Sequence, residues 1–404
     1  MKKKKIEIGQ LEFGMYVAEL DRPWTETPFL FQGFVLRSDD ELQTLRKYCR
    51  YVYVDDDRRE VPEAPDHAAV ARAKVPLAGI RRVTHVERVA VEAELPPARE
   101  AYASSEIAMN EVVESFRTGG ELDAEEVKGA VVKMTESIMR NPDALVLYSA
   151  LKERGGYFLT RATNRSIYMI MFGRFLGMEQ ADIERAGLVG LLQDIAMVNL
   201  PEALLNKKGP LSPEEIQLVR SHVQKGSETL TATGGLPPEI AVLSSVHHER
   251  HDGSGYPLGL RGADLGTIGA CAGVVDTYGA MTSARPYADP MTPSNALGML
   301  HKWRGRAFHP ELVEEFIRCI GVFPVGSVVE LNSGEVGIVI SQNTAKRLQP
   351  RVMVVRDAAG APLRPQKLID LSRLPKVSQT ETYRIRRTLE YGRTGVGLGD
   401  VLMV

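Results

Sequence analysis

Apolar residues recur at helical spacing from Ala98 to Ile320, and this stretch constrains the fold more than any other part of the chain. Ile107, Val112 and Phe116 share one face, and Val127, Val131, Met134 and Ile138 share another after a break at Gly119-Gly120. Further helices are expected over 143–152, 160–176, 180–198, 213–231, 236–250, 267–283, 292–303 and 309–320. Ser212-Pro213-Glu214-Glu215 marks one start, with proline at the first helical position and acids in the first turn, where the helix dipole favours negative charge. Two carboxylates lie inside this apolar pattern. Asp194 sits in Leu191-Leu192-Gln193-Asp194-Ile195, and Asp276 in Ala272-Gly273-Val274-Val275-Asp276-Thr277. Burying either one unpaired is expensive, so each needs a cation, a metal or a set of hydrogen-bond donors.

The flanks have a different texture. Residues 1–56 read as a small N-terminal module: Ile6, Ile8 and Leu11 alternate, Phe29 to Leu36 is apolar, and Tyr51-Val52-Tyr53-Val54 has strand character. A helix over Asp39–Cys49 between them puts Leu42, Leu45 and Cys49 on one face. Residues 57–97 shift to Asp, Glu, Arg, Ala and Pro without period and read as a linker. After the helical domain over 98–320, short β-like runs at Val328–Leu331, Val336–Ile340 and Val352–Val355 make a C-terminal β extension over 321–374, followed by a polar, Arg-rich tail over 375–404. The expected fold is mostly α, a helical domain between a small N-terminal α/β module and a short C-terminal β extension.

Composition narrows the partners. A chain of 404 residues carries two or three domains, and a net charge of -2 supplies no overall field for a nucleic acid polymer or an acidic membrane. No apolar run is long enough to span a bilayer, and Lys2–Lys5 lead into Ile6-Glu7-Ile8 rather than into a signal-peptide core. Cys49, Cys271 and Cys319 are isolated and odd in number, which fits a reducing cytoplasm. A cytoplasmic protein without nucleic acid or membrane contacts is expected.

Three of the eight histidines lie at His222, His247 and His248. His222 lies on the inner face of a helix with Ile216, Val219, Val223 and Gly226, and taken alone it reads as a hydrogen-bonded core histidine. His247-His248 run into Glu249-Arg250-His251-Asp252-Gly253-Ser254-Gly255-Tyr256-Pro257, a glycine-punctuated loop that presents one tyrosine. Adjacent imidazoles suit a metal better than a core. With Asp194 and Asp276 the three form a nitrogen and oxygen ligand set suited to Fe, Mn, Ni or Zn rather than Ca or Mg.

His247-His248-Glu249-Arg250 and Asp252-Gly253-Ser254-Gly255-Tyr256-Pro257 resemble the signature of the HD-GYP family, a subgroup of the HD metal-dependent phosphohydrolases that hydrolyses cyclic di-GMP. Leu258-Gly259-Leu260-Arg261-Gly262 follows as in that family, and Asp276 to Tyr287 resembles its late Asp-to-Arg-Pro-Tyr block, so the resemblance covers about residues 140–320. Leu11-Glu12-Phe13-Gly14-Met15-Tyr16-Val17 to Val54-Asp55 looks like a small domain of unknown function that often precedes it. The resemblance implies an HD-type fold in which Asp194 bridges metals and acts with them in catalysis. It makes His222, His247, His248 and Asp276 further ligands, has Tyr256 and Arg285 contact the dinucleotide, and makes Gly255-Tyr256-Pro257 the substrate-facing loop.

The departures from that pattern cluster. The family's His-Asp pair is Gln193-Asp194 here, and the lysine that follows it is Met197. The family's Tyr-Thr-x-x-His-Ser-x-x-Val appears as Tyr157-Phe158-Leu159-Thr160-Arg161-Ala162-Thr163-Asn164-Arg165, so Arg161 replaces its histidine. Tyr157 stands where some members have an acid, and Gly279 where they have a second one. Gln193 and Arg161 thus replace the two histidines expected to hold one metal, and an arginine cannot ligate. One divalent transition metal at most (Fe, Mn or Ni) is expected, with none as the alternative. Arg161 has two open placements. It occupies that metal's position against Asp194 and Asp276, or it points to solvent from a helix end. The functional expectation is a weakly active or inactive regulatory member that binds cyclic di-GMP. It would meet a partner such as a diguanylate cyclase or another signalling protein through the Gly253–Pro257 loop, and a homodimer is compatible with it. The alternative is an active phosphodiesterase that hydrolyses cyclic di-GMP to pGpG or GMP.

Overall fold

The computed structural model describes residues 3–11, 15–22, 34–36, 39–55, 87–118, 120, 122–152, 157–283, 290–343 and 345–389. The chain divides into two compact units, Met1–His67 with Pro210–Leu218, and Ala68–Gly209 with Val219–Val404.

In the first unit, β1 (Lys3–Glu7), β2 (Tyr16–Leu20), β3 (Phe34–Val35) and β4 (Tyr51–Asp55) form an antiparallel sheet of order β1-β4-β2-β3. Val52 and Val54 alternate with the tyrosines of β4 and bury completely, and they meet Ile6, Val17, Leu45 and Cys49 in one core. Leu45 and Cys49 come from the inner face of α1 (Asp39–Tyr48) and the residue after it, the face the sequence marked. Residues 29–33 of the expected apolar run lie outside the described residues. Ser212 and Glu215 form a reciprocal capping box. The Glu215 N–H donates to Ser212 Oγ at 3.2 Å, and the Ser212 N–H donates to the Glu215 carboxylate at 2.6 Å.

The second unit is helical and then β. Its helices are α2 (Val91–Thr118), α3 (Ala124–Arg140), α4 (Pro142–Leu151), α5 (Tyr157–Phe175), α6 (Gln180–Leu192), α7 (Glu202–Leu205), α8 (Pro213–Ala232, in this unit from Val219 on), α9 (Glu239–Ser244), α10 (Gly266–Thr282), α11 (Pro293–Trp303) and α12 (Pro310–Ile320). α2 begins ahead of the expected Ala98 and runs through Pro96 and Pro97. Prolines disfavour a helix interior, but tertiary anchors hold this turn. Val91 is buried, and the buried Glu94 carboxylate takes two 2.9 Å hydrogen bonds from Arg140. The helix expected over 236–250 is also shorter. After Ser244 the backbone tightens into turns, with Val246 bonded to Leu243 O and Glu249 to Val246 O, so His247 and His248 lie on turns rather than on a helix.

α5 and α6 pack closely because Gly190 has no side chain. A Cβ there would stand 2.8 Å from Ser166 Cα. α10, apolar on every side, packs against both helices and carries Asp276 into the interior. Beyond α12, β5 (Val328–Leu331), β6 (Val336–Ser341), β7 (Arg351–Arg356), β8 (Pro362–Asp370) and β9 (Ile385–Thr388) form an antiparallel sheet of order β8-β7-β6-β5-β9. β9 comes from residues expected in the polar tail. Among the described residues, no helix is long and apolar enough to cross a membrane.

Candidate metal centre

Asp194 follows the end of α6, where the chain turns into a 3-10 helix over Ile195–Asn199. Its Oδ1 stands 3.2 Å from both His222 Nε2 on α8 and His247 Nε2 in the turn after α9. The two Nε2 atoms are 3.4 Å apart. His222 Nδ1 lies 2.5 Å from Val219 O, and His247 Nδ1 lies 2.6 Å from Ser244 O. A carbonyl only accepts, so each Nδ1 carries the proton and donates, which turns each Nε2 lone pair inward. Ligand atoms of Asp194, His222, His247 and His248 all lie within 4.8 Å of one another. Inward lone pairs facing a carboxylate repel unless a cation sits among them or a ring is protonated. The chemistry of the donor set therefore fits one transition metal.

Asp276 stands outside that group and faces cations instead. Arg161 Nη2 donates to Asp276 Oδ1 at 2.8 Å and lies 4.0 Å from Asp194 Oδ2. Arg165, one helical turn further along α5, puts Nη1 3.2 Å from Asp276 Oδ1 and hydrogen-bonds Asp194 Oδ2 with the same nitrogen. Its Nε donates to Gly190 O at 3.2 Å. The Arg165 side chain is 2% exposed and that of Arg161 18%. Of the two placements open for Arg161, the structure has the inward one. Arg165 was not marked by the sequence. The available signal was a second arginine four residues on, the spacing that puts both on one helix face.

The electrostatics follow. Burial pushes the Asp194 carboxyl up, but Arg165 and the hydrogen bonds of His222 and His247 outweigh it and hold the pKa well below the usual range. Asp276 behaves alike, with burial overcome by Arg161 and Arg165. Burial also works against a charged His222 ring, yet the Asp194 carboxylate raises its pKa. Burial and the neighbouring His247 hold His248 well below the ordinary range, so it stays neutral.

The position bounded by Asp194 and Asp276 does not fit a second metal. The Arg165 guanidinium reaches both carboxylates there and that of Arg161 reaches Asp276, and neither can ligate. Gln193 is 2% exposed, and both its amide atoms lack hydrogen-bond partners among the described residues. Met197 is half-buried in the 3-10 helix. Gly279 lies on α10 with nothing within 4 Å of where a Cβ would stand. Tyr157 opens α5, its side chain outside the description, and Arg285 lies outside the described residues.

The loop after His248 is held by its own polar groups. The buried Glu249 carboxylate accepts from the Leu258 N–H at 2.5 Å and the Leu260 N–H at 3.0 Å. Gly255 packs so closely that a Cβ would meet Glu249 Cα at 2.4 Å. Tyr256 is stacked on His248, with centroids 4.7 Å apart and planes 19° apart, and the Arg220 guanidinium lies 4.7 Å from the tyrosine ring centroid.

Comparisons with known proteins agree with this geometry. A family model described as HD domain matches residues 146–312, a domain of unknown function (DUF3391) matches 3–127, and a KOW domain associated with HD domain matches 328–378. The chain is 32% identical over 372 residues to cyclic di-GMP phosphodiesterase PA4108 of Pseudomonas aeruginosa, covering 92% of this chain and 89% of that protein. It is 33% identical over 144 residues to a cyclic di-GMP phosphodiesterase of Thermotoga maritima, covering 35% of this chain and 39% of the relative. A 3'3'-cGAMP-specific phosphodiesterase 2 of Vibrio cholerae is 30% identical over 150 residues, 37% of this chain and 29% of that protein. With near full-length similarity to one such protein, and an aspartate gathered with three histidines beside a Gly-Tyr-Pro loop, the chain belongs to the HD-GYP family of HD-domain proteins.

Proposed function

We propose that this chain binds cyclic di-GMP as a regulatory HD-GYP protein with an incomplete metal centre, and that it hydrolyses the dinucleotide weakly or not at all. The observation that carries this reading is the pair of arginines on Asp194 and Asp276. Asp194, His222, His247 and His248 would hold one metal, Fe, Mn or Ni. When bound, that metal polarises a phosphoryl oxygen and lowers the pKa of a coordinated water. Asp276 is spent on the guanidinium groups instead. Tyr256 presents its ring beside His248 for a purine, and Arg285 would contact a phosphate.

Charge is conserved in this arrangement, while Lewis acidity is not. Two guanidinium groups carry the same charge as one divalent ion, so the centre keeps its attraction for a doubly negative dinucleotide. What it loses is the second polarising ion, a loss worth several orders of magnitude in rate. A partner such as a diguanylate cyclase, meeting the Gly253–Pro257 loop of a cytoplasmic protein or of its homodimer, would receive the signal.

An active phosphodiesterase is the second reading, favoured by the intact gathering of Asp194 with three histidines and by the 32% identity to a protein of that activity. Metal content, calorimetric binding of cyclic di-GMP and turnover in Mn, Fe and Ni decide between them. The expected result is binding with one metal or none and little or no turnover. Two metals per chain with turnover would establish the second reading.

A further inference from the structure

We infer that Arg165 is the group that closes the second metal position, acting with Arg161 as a built-in substitute for a divalent cation. This deepens the reading of an incomplete centre and rests on it. Arg161 reaches Asp276 at 2.8 Å but stays 4.0 Å from Asp194. Arg165 is within hydrogen-bond reach of both carboxylates with one nitrogen, and it is almost fully buried. The same side chain ties α5 to α6 through Gly190 O. A residue placed in this way is fixed by three elements.

The charges settle the roles. Asp194 and Asp276 bring two negative charges into a buried space, and one arginine would leave one of them uncompensated. Two arginines neutralise both without a metal. Replacing only the two positions that depart from the metal-ligand pattern, Gln193→His with Arg161→His, therefore removes one cation and leaves Arg165 between the carboxylates. The ligands would be present and the space would not.

The test counts manganese bound per chain after loading and gel filtration, using the full chain. The wild type is expected to hold no more than one Mn2+, and so is the Gln193→His/Arg161→His variant. Adding Arg165→Val to that pair is expected to bring the count to two. A second ion in the wild type or in the double variant overturns the inference, as does a triple variant that stays at one. If the triple variant does not fold, Mn2+-soaked crystals of the Gln193→His/Arg161→His variant answer the same question. Anomalous density is expected among Asp194, His222, His247 and His248, with none against Asp276. A peak bridging Asp194 and Asp276 refutes the substitution. The metal count is independent of cyclic di-GMP binding, so loss of that binding would sink the proposed function and leave this inference standing.

Discussion

Gln193 carries an energetic tension that its neighbours have resolved. Its carbonyl and amide are both buried without a partner among the described residues, and an unsatisfied buried polar group costs about 1–3 kcal/mol. Gln193→Leu keeps the volume and removes both groups, so thermal unfolding should shift upward by about 1–2 °C for each kcal/mol recovered in a chain of this length. A downward shift in differential scanning fluorimetry would mean that the amide is satisfied in solution. The residue scale was partly legible in the sequence. Gln193, Met197 and Arg161 stand out against the motif that His247 to Pro257 announces, and the gathering of His222 with His247 and His248 was expected. The pairing of Asp276 with Arg165 was hidden, because nothing in a linear pattern says which carboxylate a helix-borne cation will meet 111 residues away. The contacts of Tyr256 with His248 and with Arg220 on α8 were equally invisible, since they depend on how the loop folds back onto the helix.

At the scale of elements, local periodicity located most helices to within a residue or two. The helix expected over 180–198 stops at Leu192 and gives way to a 3-10 helix, and two further exceptions have tertiary causes. α2 passes through Pro96-Pro97 because Glu94 and Val91 are anchored on its far side. α9 stops at Ser244 because the following carbonyls and imidazoles bond in turns. One contact between elements makes a pH-dependent prediction. Asp143, in the first turn of α4, accepts a 2.9 Å hydrogen bond from the Gln342 N–H just beyond β6. Burial pushes its carboxyl pKa up to about 7, and the Gln342 bond only partly opposes this. A raised carboxyl pKa means the folded state holds the proton more tightly than the unfolded chain does. Stability therefore falls as pH rises from about 4 to about 7, and the full penalty is present above that window. Asp143→Asn keeps an acceptor for Gln342 and cannot ionise. It should stabilise the protein by a few kcal/mol at pH 8 and far less at pH 5. Denaturant melts at the two pH values compare the variant with the wild type. Equal differences at both would show that Asp143 titrates normally.

At the scale of the whole chain, the alternation of β-like, helical and β-like texture was readable because each texture runs for tens of residues. The division into Met1–His67 with Pro210–Leu218 and the remainder was not, since Pro210–Leu218 lies far along the sequence from the segment it groups with. The end of the chain hid another long-range pairing. Residues 375–389 are rich in arginine and polar side chains, yet Ile385 to Thr388 close the C-terminal sheet against β5, and Arg386 and Arg387 both pair with Glu330. Alternation over four residues is too short a signal to separate such a strand from a solvated tail. Its removal has a definite consequence. Truncation after Leu374 would strip β9 from β5 and leave the Val328 C=O and the Asn332 N–H, which bond to the Leu389 N–H at 2.8 Å and the Arg384 C=O at 3.0 Å, at an open edge. It would also uncover the apolar cluster that Tyr383 and Ile385 cover, at about 1.5–3 kcal/mol for each large side chain exposed. The truncated chain should melt several degrees lower and associate at high concentration, because a bare apolar edge pairs with its own copy. Melting curves paired with light scattering report both effects. A truncated chain that stays monomeric with an unchanged melting point would show that β9 adds nothing to the sheet, and that the segment after Leu374 is a tail after all.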